Sequence, residues 1–420
     1  MIVRHVRLRY TLLTRGVFDH LGITEQRVAS ALEGVRRGSA RHVLIAPPGA
    51  GNIGDQAMVE AFVAAADRPV TVVTRGPKDF TLPVDLAAGA EIVALPGLFY
   101  GAGGAHANAL ARLKVLLTDA ATVSIVGADI MDGVYVLRSS LRRSAIAAGS
   151  ARAGIDTTVL GFSWSGKAPA AALRALRRAG AAGVRLLLRD PASAARVRDA
   201  GIGGVVETAD IVFTDDRRDD AKADGILRGI DGPFAIVNVS GLIARTVDQV
   251  PEYTALLDHL RADGFTVVLL PHVLRDTADD LTACREVYAA SGGEGVLLID
   301  EQLSPSTIRS LANRASLIVT GRMHLAIMSL AQGTPAITLA TQGKVEGLMK
   351  LFGWPELCVA PGPGMGERIW AVASQVLAAP DARDRVQAGA ARARALAAAN
   401  IDRISGNDAR ERYAERNASR

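Results

Sequence analysis

Arg322 and His324 stand just after the apolar run Leu317-Ile318-Val319-Thr320 and a turn residue, Gly321. Such a run reads as a buried strand that ends, turns and enters a helix. Two potential cations then fall in the first helical turn, where the helix dipole disfavours each by about 0.3–1 kcal/mol. A neutral histidine escapes most of that cost. An arginine does not, so an anion is expected opposite Arg322. The next apolar run, Pro335-Ala336-Ile337-Thr338-Leu339-Ala340, leads to Thr341-Gln342-Gly343-Lys344, again at an expected helix start. If the two strands are neighbours in a parallel sheet, Arg322, His324 and Lys344 share one rim. With the helix amides they suit a compact dianion or trianion. Each also has a plainer reading: a salt-bridged Arg322, a satisfied core His324, a solvated Lys344.

Other strand ends add candidates. Leu187-Leu188-Arg189-Asp190-Pro191 puts Arg189 at a strand terminus, with Asp190 as helix cap and Pro191 at the first helical position. Leu269-Leu270-Pro271-His272 puts a histidine at another. Early in the chain, Gly49-Ala50-Gly51-Asn52-Ile53-Gly54 follows a strand and precedes a helix, so its amides could cradle a phosphate or carboxylate. The next strand ends in Val73-Thr74-Arg75-Gly76, without the acidic residue of a dinucleotide site. Asp55-Gln56 follows the loop, where a Walker A motif needs Lys-Ser/Thr. Asp55 either caps the helix or orients a substrate hydroxyl.

These residues need a scaffold. Short apolar runs at 43–46, 70–74, 91–94, 123–126, 157–161 and 184–188 read as strands separated by alanine-rich helices. The polar stretch 214–220 reads as a linker. The pattern restarts at 234–239, 266–270, 295–299, 317–320 and 336–339, with a helix opened by Ser304-Pro305. Continuous apolar strands between helices argue for parallel sheets covered on both faces. The expectation is α/β: a helical extension over 1–40, a Rossmann-like acceptor-side domain over 41–213, a second Rossmann-like domain over 214–365 on the donor side, and a C-terminal helix and tail over 366–420 that can cross back. The site would lie in a central cleft, at the carboxyl ends of the strands.

Composition narrows the function classes. The chain has 420 residues, 49% hydrophobic and 22% charged, with net charge +5, so it is globular and suited to anionic substrates. Aromatics make up 4% and no nucleic-acid motif occurs, which argues against nucleic acid as partner. Two cysteines, Cys284 and Cys358, fit neither a disulfide framework nor a metal motif, and a reducing cytoplasm is expected. No metal or cofactor is called for. The start, Met1-Ile2-Val3-Arg4-His5-Val6-Arg7, lacks the pattern of a signal peptide, and no apolar run reaches 18 residues. The basic N-terminus and arginine-rich C-terminal helix are compatible with peripheral association at an anionic inner membrane face. Nothing distinguishes a monomer from a homo-oligomer.

Four segments together resemble the polysaccharide pyruvyl transferase family: Asn52-Ile53-Gly54-Asp55, Gly127-Ala128-Asp129-Ile130-Met131-Asp132, Arg189-Asp190, and the run 303–353. That run carries Arg322 and His324, the turn Gln332-Gly333-Thr334-Pro335, and Lys344 ahead of Leu351-Phe352-Gly353. The chain departs from the family pattern at Ala128, in place of a glycine, at Gln56, and at Thr341-Gln342. The resemblance implies a GT-B-like pair of Rossmann-like halves. It implies phosphoenolpyruvate as donor, a hexose or N-acetylhexosamine of a glycan or lipid-linked sugar as acceptor, and a cyclic pyruvate ketal as product.

On that basis His324 is expected to move protons, and Arg322, Lys344 and Arg189 to balance the donor's charge beside the Gly321 turn. Asn52, Asp55, Asp129, Asp132 and His272 are assigned to the acceptor. Three rivals remain: a nucleotide-sugar glycosyltransferase using Glu346 for a ribose, an NADP oxidoreductase using the glycine loop and Arg75, and a non-catalytic scaffold.

Overall fold

The computed structural model describes residues 22–275, 279–340 and 343–406. Expectations for the first 21 residues, for Thr341-Gln342 and for the tail beyond 406 lie outside them. The described chain forms two compact units interleaved in sequence. Residues 22–48, 66–208 and 400–406 make the first; 49–65 and 209–399 make the second.

The first unit is built on seven strands: β1 (Arg41–Ile45), β2 (Val70–Thr74), β3 (Ala90–Ala94), β4 (Ala120–Ala128), β5 (Asp156–Phe162), β6 (Arg185–Leu188) and β7 (Val205–Glu207). Their order is β3-β2-β1-β4-β5-β6-β7, and every pairing is parallel. Val43, Ile45, Val123, Ile125, Val159 and Leu186 build its core, which is why these strands read as apolar runs rather than alternating ones. The helix Ile23–Ala31 packs on the helix Leu137–Arg152 of this unit.

The second unit has six parallel strands: β8 (Phe234–Asn238), β9 (Thr266–Leu269), β10 (Val296–Leu298), β11 (Leu317–Thr320), β12 (Ala336–Leu339) and β13 (Cys358–Val359). Their order is β10-β9-β8-β11-β12-β13. The chain winds outward one way from β8 and the other way from β11, so the order reverses between these two strands. Ligands of open parallel sheets bind beyond the carboxyl ends at such a reversal. The helix Pro305–Arg314 starts as its sequence suggests: Ser304 Oγ accepts from Thr307 N at 3.1 Å, with proline at the first position.

The α/β expectation of two parallel sheets is met. Two edge strands, β7 and β13, were not foreseen; three and two residues are too few to give a pattern. The largest departure concerns the helix Ile53–Ala65. It follows β1 in sequence, yet it packs against residues 211–214, the helix Pro305–Arg314 and the helix Met323–Ala331, all of the second unit. Its burial is nearly all round, from Ile53 through Val63. A helix without a solvent stripe must be enclosed by neighbours. The short segment 400–406 returns to the first unit: Asn400 Oδ1 accepts from Gly161 N at 3.0 Å, and Arg185 pairs with Asp402 at 2.7 Å. The 214–220 stretch, read as a linker, lies within the second unit, which begins again at residue 209. Asp215 within it is buried and ion-paired.

Candidate functional site

The switch point of the second sheet supplies the site. Asn238 ends β8 and Thr320 ends β11, and Thr320 Oγ1 donates to Asn238 Oδ1 at 3.1 Å. Thr320 Oγ1 in turn accepts from Arg322 N at 2.9 Å, which fixes the turn into the helix Met323–Ala331. Gly321 serves that turn sterically: a Cβ there would come within 2.7 Å of Ser240 Cβ.

The anion expected opposite Arg322 is a residue of the chain itself. Asp280, fully buried at the start of the helix Asp280–Ala290, takes Arg322 Nε at 3.2 and 3.1 Å and Nη2 at 2.6 Å. It also accepts from Gly241 N (2.9 Å), Asn238 Nδ2 (3.1 Å), His272 N (3.1 Å) and Val273 N (3.0 Å). A buried carboxylate with this many donors satisfies its lone pairs and holds the guanidinium in one orientation. The salt-bridge reading of Arg322 is therefore the one the structure bears out, and Arg322 brings less net charge to a ligand than its sequence position suggested.

His324 lies in the first turn of the same helix. Its Nε2 is 3.4 Å from Asp210 Oδ2, an ion-pair distance, but it is not aligned for a hydrogen bond. The other face of the ring meets the Asn52–Asp55 loop. A Cβ on Gly54 would lie 2.3 Å from His324 Nδ1, so the loop's main chain is pressed on the imidazole. His272 is fully enclosed, and neither ring nitrogen has a hydrogen-bond partner among the described residues. Burial pushes its pKa well below 6.5, and the nearby His324 and Arg322 charges push it further. It is held as a neutral imidazole.

The glycine loop departs from a phosphate cradle. Gly49, Ala50 and Gly51 all have positive φ (62°, 49° and 74°). A Cβ on Gly51 would lie 1.8 Å from Leu274 O, so only glycine fits there. Ile53 N donates to His272 O at 3.3 Å, and Gly54 N to Asn52 Oδ1 at 3.1 Å. Two amides that the sequence offered to an anion are thus committed within the protein. Asn52, not Asp55, caps the helix Ile53–Ala65; Asp55 is buried in its first turn. In a dinucleotide fingerprint, strand, loop and helix belong to one βαβ unit. Here strand β1 and Arg75 belong to the first unit and the helix to the second, and Arg75 is paired with Asp79 at 3.4 Å.

Asn52, Asp55, His272, Gly321, Arg322, His324 and Lys344 all belong to the second unit. This joins the expected acceptor-side loop with the expected donor-side residues. Lys344, half-buried, opens the helix Lys344–Phe352 after β12, which pairs with β11 through Thr338 and Thr320. The residue preceding each of these two helices, Arg322 and Gly343, provides no side-chain cap. First-turn amides at such helix ends are natural anion donors. Glu346 is exposed in the first turn of the later helix.

Arg189, Asp129 and Asp132 belong to the first unit. Arg189, enclosed at the end of β6, donates through Nε to Ser163 Oγ at 3.0 Å and through Nη2 to Asp129. An expected donor-binding arginine is thus paired with an expected acceptor-binding carboxylate. Asp132 accepts from Val134 N at 3.1 Å and Ser165 N at 3.3 Å, bracing the turn after β4. Asp190 caps the helix Pro191–Asp199 through Ser193 N at 2.7 Å, as the sequence suggests.

Sequence reasoning missed Asp280, Asp210 and a buried charge cluster. In that cluster Arg217 Nη2 contacts Glu60 at 2.9 Å and Asp215 at 2.8 Å, and Arg309 Nη2 lies 3.1 Å from Asp215 without hydrogen-bond alignment. Burial raises the Glu60 pKa; Gln56 and the arginines pull the other way. Burial alone would raise Asp215 too, but the Arg309 and Arg217 guanidiniums outweigh it and hold it low. The signal available was charge at helix starts and inside a polar stretch, which usually marks surface.

Two parallel-sheet α/β units in succession place the chain in the GT-B-like class of folds. Solved structures agree. A UDP-GlcNAc 2-epimerase from Neisseria meningitidis bound to UDP-GlcNAc superposes with TM-score 0.54 at 11% identity, over 91% of this chain and 100% of that one. Sucrose-phosphate synthase from Thermosynechococcus elongatus gives 0.54 at 14%, over 90% and 98%. The UDP-GlcNAc 2-epimerase from Methanocaldococcus jannaschii gives 0.53 at 11%, over 81% and 93%. At these identities the likeness concerns the fold alone. No curated protein matches the chain. The model of the polysaccharide pyruvyl transferase family matches residues 52–343, and the chain belongs to that family.

Proposed function

We propose that the protein transfers the enolpyruvyl unit of phosphoenolpyruvate to two hydroxyls of a glycan sugar, forming a pyruvate ketal and releasing phosphate. What supports the reading is that His324 and the guanidinium Arg322, held by Asp280, follow β11, and that Lys344 opens the helix after the neighbouring strand β12, with neither helix start capped by a side chain. Arg322 is oriented by Asp280 and acts in support. Lys344 and the first-turn amides take the donor's phosphate and carboxylate.

In this scheme the donor's methylene gains a proton and becomes the methyl group. The first sugar hydroxyl adds to the enol carbon and gives up its proton. Phosphate departs, and the second hydroxyl closes the ring with loss of its own proton. Two protons leave the hydroxyls; one ends on the methyl group and one on phosphate. His324 is the group that exchanges them. Asp210 Oδ2 stands 3.4 Å from Nε2, on the side of the ring away from the loop. His272, neutral, limits the positive charge beside it. Asn52 and Asp55 border the acceptor. Association with an anionic membrane face, where lipid-linked sugars reside, suits the net charge of +5. No helix among the described residues is long and apolar enough to cross a membrane.

The test is to incubate wild type, His324→Ala and Arg322→Ala with phosphoenolpyruvate and candidate glycans. Phosphate release and the new ketal methyl resonance are followed together. His324→Ala is expected to lower turnover about 10²–10³-fold. Wild-type turnover in both variants would reject the assignment. Stabilisation of the protein by UDP-sugars but not by phosphoenolpyruvate would favour a glycosyltransferase instead.

A further inference from the structure

We propose that a cavity at the far end of the Met323–Ala331 helix is a second binding site, for an acidic saccharide. The cavity measures about 300 Å³ and is lined by Arg218, Asn313, Gln332, Gln387 and Arg394, with small residues between them. All belong to the second unit. The helix that carries His324 at one end reaches this cavity at the other, some seven residues on, roughly 10 Å away at 1.5 Å per residue. The cavity is therefore distinct from the rim where Arg322 and His324 stand.

The lining chemistry selects the ligand. Among the described residues it comprises two guanidiniums and three carboxamides, and no carboxylate. Guanidinium forks recognise carboxylates, and carboxamides both give and accept hydrogen bonds, as sugar hydroxyls require. Gln332, at the carboxyl end of the helix, lines the cavity together with Arg394. The carbonyl end of a helix would repel an anion, but Arg394 Nη2 donates to Ala331 O and offsets that charge. The volume lies at the lower end for small-ligand pockets, enough for one sugar residue. A glycan already carrying a carboxylate fits these terms, and the site would retain such a chain without taking part in transfer.

Arg218 and Gln387 are exposed, so their variants should fold. Binding of glucuronic acid, glucose and inorganic phosphate to wild type, Arg218→Ala and Gln387→Ala is measured by ligand-observed NMR titration. Glucuronic acid should bind wild type more tightly than either glucose or phosphate, and about tenfold or more weakly to Arg218→Ala. Equal binding of glucose and glucuronic acid, unchanged affinity in Arg218→Ala, or no binding to wild type would overturn the proposal. Phosphate binding as tightly as glucuronic acid would overturn the saccharide class. Phosphate release from phosphoenolpyruvate should be unchanged in Arg218→Ala, so the second site and the transfer reading fail separately.

Discussion

Asp280 and Arg322 come from helix starts 42 residues apart, yet they form one buried pair, with Arg322 Nη2 2.6 Å from Asp280 Oδ1. Removing the carboxylate would strand a guanidinium that is mostly enclosed, along with the amides of Gly241, His272 and Val273. Asp280→Ala should cost about 3–5 kcal/mol in denaturant unfolding. Asp280→Asn keeps the shape and should cost less while still lowering turnover. Equal stability of wild type and Asp280→Ala would mean the pair is not structural.

Gly54 tests the contact between the loop and His324. A methyl group there would sit 2.3 Å from Nδ1 and 2.5 Å from Cγ, so the ring must move. Alanine is a better helix former than glycine, so the helix itself gains slightly. Gly54→Ala should therefore lower transfer by about 10²-fold, since misplacing a reacting group by 1 Å has that effect, with a smaller change in melting temperature. Unaltered transfer would separate the loop from the chemistry.

Ala128 occupies a left-handed conformation, φ 43°, at the position where the family pattern favours glycine. A side chain in that region costs roughly 1–2 kcal/mol, while glycine gives back part of this through the unfolded chain. Ala128→Gly should raise the unfolding free energy by roughly 0.4–1 kcal/mol, seen as a higher urea midpoint with an unchanged m-value. A lower midpoint would show that the methyl group packs usefully against its neighbours.

His272 gives a pH signature. Its folded pKa lies well below 6.5, so the unfolded chain binds the extra proton first. Its contribution to stability is present above pH 6.5 and is lost as pH falls below that value. The loss approaches about 1.4 kcal/mol per pH unit until the folded pKa is reached. His42 and His106, also lowered by burial, act in the same direction, whereas the raised Glu60 acts against them at lower pH. Comparing wild type with His272→Gln isolates the one residue: the variant's stability should fall less steeply between pH 6.5 and 5. Parallel slopes would reject a neutral buried His272.

Most of the scaffold was legible because strands such as β8 and β11 are short apolar runs, enclosed on both faces, with helix signals between them. The Ser304 and Asp190 caps were legible for a similar local reason. What local sequence cannot encode is a partner. The helix Ile53–Ala65 reads as the natural companion of β1, and only its all-round burial in the second unit reveals otherwise. Arg322 was found by its position, but the carboxylate that holds it was not, because Asp280 resembles any acidic residue opening a helix. Arg217 and Asp215 lie in the polar stretch 214–220, which reads as a linker. Together with Glu60 and Arg309 they neutralise one another, which permits their burial.

The interleaving of the two units has a consequence for biosynthesis. The helix Ile53–Ala65 leaves the ribosome early, but the helices Pro305–Arg314 and Met323–Ala331 that enclose it do not yet exist. At ordinary elongation rates the wait is on the order of ten to fifty seconds. Throughout it, Met58, Val59 and Phe62 lack their native cover. The nascent chain therefore presents a hydrophobic segment suited to chaperone capture, and severing the gene between the halves would leave the later fragment without its own inner helix.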